Sequence, residues 1–139
     1  MGRLKKRSDK NSPLIKPIPY GSFFSGESFT EKPCFCFQYL HQGFTSSQCS
    51  NDQKSGLLLT FEKLSTLRWV EIESSHRHGF GAEKIERKSI KPNIPNIVPK
   101  NATFLAIRFS GLAPIVGFRE RNIFHIVFID AKFNVYDHE

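Results

Sequence analysis

Cysteine, methionine and tryptophan are scarce in this 139-residue chain, which carries 3, 1 and 1 of them. An odd number of cysteines argues against a closed disulfide framework and points to a reducing, cytoplasmic compartment. No apolar run approaches the ~20 residues that a membrane helix needs. The longest, residues 123–129, is interrupted by His125. The charged N-terminus has no apolar stretch behind it and so does not read as a secretory leader, and Lys6 stands where an N-myristoylation signal has Ser or Thr. P-loop, dinucleotide-binding, zinc-protease and nucleophile-elbow motifs are also missing, so no cofactor is expected. Cys34, Cys36, His41 and Cys49 are nominal soft ligands, but their spacing fits no common zinc pattern, and no metal site is expected.

Acidic residues are in deficit too. Thirteen Asp and Glu stand against 20 Lys and Arg, a formal charge of +7. The excess is unevenly placed. Residues 1–16 hold six basic side chains and one acid, and residues 76–100 hold six and two, while the last 39 residues balance at four of each. A basic balance favours polyanionic partners. Its position divides the chain into a basic, proline-punctuated tail over residues 1–32, without sustained periodicity, and one domain over residues 33–139.

Within that domain the pattern is rich. Hydrophobic residues are 39% of the chain, with 14 Phe among them, enough for a real core. Residues 34–40 read as a first strand bounded by Pro33 and Gly43. Ser50 and Gln53 form a capping-box signature, followed by Leu57, Leu58, Phe61 and Leu64 on one helical face. Thr66 is placed to cap a second short helix carrying Leu67, Trp69, Val70 and Ile72. Residues 84–90 are ambiguous, and three prolines make 91–99 a loop. Residues 104–109, 115–118 and 123–129 are strands, the last apolar on both faces like a central strand. Residues 119–122 read as a hairpin turn, and a turn over 131–134 leads to a short terminal strand at 135–137. The expected architecture is α+β: an antiparallel twisted sheet of four to six strands with a pair of short helices packed on one face.

Two clusters carry candidate chemistry. If Asp130 pairs with Val135 in a terminal hairpin, then His125, Tyr136 and His138 share a sheet face, offering groups that titrate, donate protons and stack. The competing reading of His125 is a core histidine hydrogen-bonded to backbone. The second cluster runs through His76, Arg77, His78, Lys84, Arg87 and Lys88, cations with Phe80 on a glycine-flexed loop, suited to a phosphate backbone with one stacked base. Its alternative is a solvated polar loop, since Glu83 and Glu86 interleave with the cations. Arg108 sits in an apolar strand, where its charge needs either a carboxylate such as Asp130 or Asp137, or a phosphate.

The order strand, helix pair, antiparallel meander, with His and Tyr at the terminal strand, resembles the RelE/ParE superfamily of bacterial toxins, particularly its RelE, HigB and YoeB-like ribonucleases, over roughly residues 34–138. The resemblance implies metal-independent endonucleolytic cleavage of mRNA, on the ribosome in most members, and an antitoxin protein as inhibitory partner. It implies that Tyr136 and His138 match the terminal His/Tyr pair of the YoeB-like branch and that Arg108 or Arg119 stabilises the phosphate. His125 is then a further acid/base candidate, and Glu83 the nearest candidate for a catalytic glutamate. This chain departs from the pattern in its N-terminal tail, its greater length and its terminal order Tyr-Asp-His. The alternative function is a non-catalytic module that binds nucleic acid, the ribosome or another protein.

Overall fold

The capping box expected at Ser50 opens the main helix in a computed structural model of the chain, which describes residues 31–74 and 82–137. Ser50 Oγ accepts from the Gln53 N–H at 3.1 Å, and Gln53 Oε1 accepts from the Ser50 N–H at 2.9 Å. These bonds satisfy two backbone donors that a helix start leaves open. Helix α1 then runs Asn51–Leu64 and a short α2 covers Trp69–Glu73. Thr66 does not cap α2, because its hydroxyl donates to the Lys63 carbonyl at 2.7 Å. Arg68 is the N-cap residue, and its N–H donates to Glu71 Oε1 at 2.8 Å.

Five strands form the sheet: β1 Cys34–Cys36, β2 Glu83–Ile85, β3 Phe104–Ser110, β4 Ala113–Glu120 and β5 Ile123–Ile129, in the order β1-β5-β4-β3-β2. The α+β class is as expected, with a correction to the sheet. It is mixed, because β1 lies parallel to β5 while every other pair is antiparallel. The first strand is also shorter than the expected 34–40. Its chain turns at Phe37 and Leu40, then rejoins β5 through the His41 N–H on the Val127 carbonyl at 2.8 Å and the Ile129 N–H on the Phe44 carbonyl at 2.9 Å.

Two irregularities sort side chains between the faces. Val116 opposes Phe128 and Gly117 opposes Ile126, leaving Val127 as an extra residue in β5. Phe124, Ile126 and Ile129 therefore face the helices, whereas Val127 and Phe128 join the core on the other side. Gly117 permits this close approach, since a Cβ there would lie 2.0 Å from the His125 carbonyl oxygen. A second bulge leaves Phe109 extra in β3.

On the helix face, Leu57, Leu64, Trp69 and Ile72 bury against a floor that includes Leu105, Ile107, Ile115 and Phe124. Each fully buried side chain of this size contributes about 1.5–3 kcal/mol over exposure. That exceeds the ~1 kcal/mol that Gly56 costs in mid-helix relative to Ala. Gly56 lets α1 approach β3 closely, as a Cβ there would stand 2.9 Å from the Phe109 carbonyl oxygen. Leu58, placed by its spacing on the apolar face of the first helix, and Val70 of the second are 60% and 42% exposed, because each helix meets the sheet along a narrower stripe than its apolar residues suggest.

The opposite face is covered by irregular chain, with Ile90, Ile94, Val98, Ala102 and Val135 packed in its core. The terminal strand expected at 135–137 is absent. The buried Asp130 carboxylate accepts from the N–H groups of Asn134 at 2.9 Å and Val135 at 3.0 Å, and Phe133 takes a left-handed φ of 62°. Donors that a hairpin would present to β5 are consumed by this turn, so residues 131–137 cross the sheet face instead. No helix among the described residues is long and apolar enough to cross a membrane.

Candidate functional site

Strand alternation delivers the first two groups of the site. Phe104, Ala106 and Arg108 project from β3 to the face opposite α1 and α2, and the pairing of Glu83 with Ala106 puts Glu83 on that face, diagonal to Arg108 across one strand boundary. The third group arrives from the C-terminal crossing segment. The Tyr136 hydroxyl donates to Glu83 Oε1 at 3.2 Å. The segment is held by the Asp130 turn, by the Lys91 N–H on the Val135 carbonyl at 2.8 Å, and by Lys91 Nζ on Asp137 Oδ1 at 2.6 Å.

Burial pushes the Tyr136 hydroxyl well above its ordinary pKa, with the Glu83 carboxylate as the next contributor and Asp130 adding to it, while Arg108 pulls part of the way back. Tyr136 is therefore a firmly protonated hydroxyl at neutral pH. Arg108 is partly exposed and makes no hydrogen bond or ion pair among the described residues. Asp130 and Asp137, its expected structural partners, are engaged by backbone N–H groups and by Lys91. A carboxylate, a protonated hydroxyl and an uncommitted guanidinium thus meet at one corner of the sheet.

His125 lies elsewhere on this face. It shares a row with Cys36, Phe118, Phe104 and Ile85, three strands away from β2. Three interstrand spacings separate its backbone from β2 by about 14 Å. Its ring stacks on Phe118 at 4.8 Å, meets the Tyr39 ring edge-on at 4.9 Å, and hydrogen-bonds through Nε2 to Glu120 Oε1 at 3.1 Å. Only 5% of the residue is exposed and Nδ1 has no hydrogen-bond partner. Neither the grouping with Tyr136 nor the alternative of a backbone-bonded core histidine describes it, since it is a core residue tethered to a side-chain carboxylate.

Arg119 is on the other side of the sheet. It lies 4.7 Å over the Trp69 ring, reaches Glu73 Oε2 at 3.0 Å, and donates through Nε to the Arg121 carbonyl. Trp69 Nε1 in turn donates to the Asn122 carbonyl at 2.9 Å, so this cluster fastens α2 to the β4–β5 hairpin. Arg87 is similarly engaged, donating to the Pro99 and Lys100 carbonyls at 2.9 and 3.2 Å and lying 5.7 Å over Phe104. Lys84 and Lys88 are exposed. The remaining expected residues, His76, Arg77, His78 and His138, lie outside the described residues.

Among the described residues no three His, Cys, Asp or Glu side chains group as metal ligands. Cys34 is exposed, Cys36 is half-buried, and Cys49 is buried in the helix-side core, where desolvation raises its thiol pKa against the pull of Lys54.

No protein-family model, curated protein or solved structure matches this chain. Function therefore rests on the site itself. In sequence Glu83 reads as an acid within a basic stretch, and only the family resemblance marks it as the nearest candidate for a catalytic glutamate. Its bond to Tyr136 depends on the crossing of residues 131–137, a topological fact that no local pattern carries.

Proposed function

We propose that this chain is a RelE-like endoribonuclease that cleaves mRNA without a metal ion, in the cytoplasm, and is restrained by an antitoxin protein. The observation that carries the reading is the Tyr136–Glu83 hydrogen bond beside an uncommitted Arg108. Cleavage by the 2′-hydroxyl needs a base, an acid and a cation for the charged phosphate. Glu83, exposed and able to accept more than one hydrogen bond, takes the 2′-hydroxyl proton. The 2′-oxygen bonds to phosphorus, and the bond to the 5′-oxygen breaks. Tyr136 protonates that leaving oxygen and is reprotonated by Glu83 along their existing hydrogen bond. Arg108 stabilises the pentacoordinate phosphate. The products are a 2′,3′-cyclic phosphate and a 5′-hydroxyl, with no net change in protonation of the protein. Because its raised pKa disfavours tyrosinate, Tyr136 passes its proton on only as it receives the one held by Glu83.

A second reading, an RNA-binding module without chemistry, is favoured by the cation excess of residues 76–100 and the exposure of Lys84 and Lys88. Incubation of the purified chain with RNA in EDTA separates the two. The cleavage reading expects cyclic-phosphate products and a loss of rate of about 100-fold or more in Glu83→Gln and Tyr136→Phe. Salt-dependent binding with the RNA left intact supports the module, and neither binding nor cleavage removes both.

A further inference from the structure

The sheet face opposite α1 and α2 carries a second feature that the proposed chemistry does not use. A groove of about 690 Å³ runs between residues 38–42 and the proline-rich loop residues 93–97. No Lys, Arg, Asp or Glu lines it. Its lining residues include Gln38, Gln42, Asn93 and Asn96, and none of these four side chains makes a hydrogen bond among the described residues. Four uncommitted amides around one groove are four donor–acceptor pairs open to a ligand.

The aromatic groups of the groove are held in place. His41 Nδ1 accepts from the Gly43 N–H at 2.9 Å, which leaves Nε2 as the N–H of the neutral ring, and the ring packs against Phe44 and Phe128. Tyr39 is gripped edge-on by Phe118 and His125. Leu40, Ile94 and Pro95 supply apolar surface, and Ile97 is 62% exposed at the edge. A ligand suited to this lining is planar and uncharged, with hydrogen-bonding edges and a face that stacks. Those are the properties of an unpaired nucleobase, and carboxamides are the side chains that read base edges bidentately.

We infer that the groove formed by residues 38–42 and 93–97 is a base-recognition subsite for single-stranded RNA. This inference rests on the RNA reading of the previous subsection. It adds a source of sequence preference, separate from the Glu83–Tyr136–Arg108 corner that acts on the phosphate. The two are linked through the core, because Ile94 packs in the same cluster as Tyr136.

Titration of the isotope-labelled full chain with adenosine, cytidine, guanosine and uridine, followed by NMR, tests the assignment. Saturable shifts of the Gln38, Gln42, Asn93 and Asn96 side-chain amide signals are expected with at least one nucleoside and not with ribose. The Asn93→Ala/Asn96→Ala variant is expected to bind that nucleoside about tenfold more weakly. Unmoved amides, equal shifts with ribose, stronger shifts with a glycyl dipeptide, or unchanged affinity in the folded variant would overturn it. Because nucleoside binding needs no strand scission, the two readings fail separately. Intact RNA with bound nucleoside removes only the cleavage proposal, and cleavage without nucleoside binding removes only this one.

Discussion

Tyr136 and Glu83, 53 residues apart in sequence, meet through a 3.2 Å hydrogen bond in which the phenol donates to the carboxylate. The contact joins the C-terminal crossing segment to the edge strand β2, and it stabilises the neutral phenol against its ionised form.

A consequence appears at alkaline pH. The hydroxyl pKa is raised above its ordinary 10.0 in the folded chain, so the unfolded chain releases this proton first as pH rises. The stabilisation is fully present below about pH 10 and declines above it, toward the folded pKa. Urea midpoints measured at about pH 8 and pH 11 are expected to fall further in the natural chain than in Tyr136→Phe. Equal declines would mean that the phenol is not held in this environment.

His125 is expected to behave as a core residue. Its ring lies between Phe118 and Tyr39 at 5% exposure, so His125→Ala should cost about 2–4 kcal/mol of stability by leaving a cavity. RNA cleavage per folded molecule should be retained. Glu120, 61% exposed in its side chain, contributes little, and Glu120→Gln should shift stability by less than about 1 kcal/mol. A folded His125→Ala chain that binds RNA but no longer cuts it would return this histidine to the chemistry.

Arg119 should report on fastening as well. Replacement by Met keeps much of the stem but leaves Glu73 unpaired and removes the guanidinium from the Trp69 ring, at an expected cost of about 1–3 kcal/mol. Thermal melting should show the loss. Arg108→Met is expected to do the reverse, with melting nearly unchanged and cleavage greatly reduced, because Arg108 has no hydrogen bond or ion pair among the described residues to lose.

Backbone proximity gives the sharpest stability expectation. A methyl group at position 117 would collide with the His125 carbonyl oxygen at 2.0 Å, in the middle of the β4–β5 ladder. Gly117→Ala should cost more than about 4 kcal/mol or prevent folding. Gly56→Ala is gentler, since the gain in helix propensity offsets part of a 2.9 Å contact with the Phe109 carbonyl. Comparable melting temperatures for the two variants would contradict the bulged register at Val127.

What was legible in sequence was local. Ser50 and Gln53 announce α1 because a capping box is completed within four residues. The β3–β4–β5 meander follows from alternation and short turns, such as the one at Arg121, which takes a φ of 59°. Contacts that depend on distant chain were not legible. The parallel docking of β1, the capture of residues 131–135 by Asp130, and the face change at Val127 involve partners that no window of sequence contains. The candidate site divided in the same way. Arg108, Glu83 and Tyr136 were each visible as residues of interest, but their association required the fold, and so did the removal of His125 and Arg119 to separate packing clusters.

The parallel pairing of Cys34 with Ile123 also sets an order in time. Strand β1 is among the first parts of the domain to be synthesised, yet its place in the sheet exists only after β5 has been made, 89 residues later. At ordinary translation rates that interval is roughly 5–20 s. During it, Phe35 lacks the Phe124 ring it meets in β5, so a newborn chain carries an unpaired strand edge until β5 has been made.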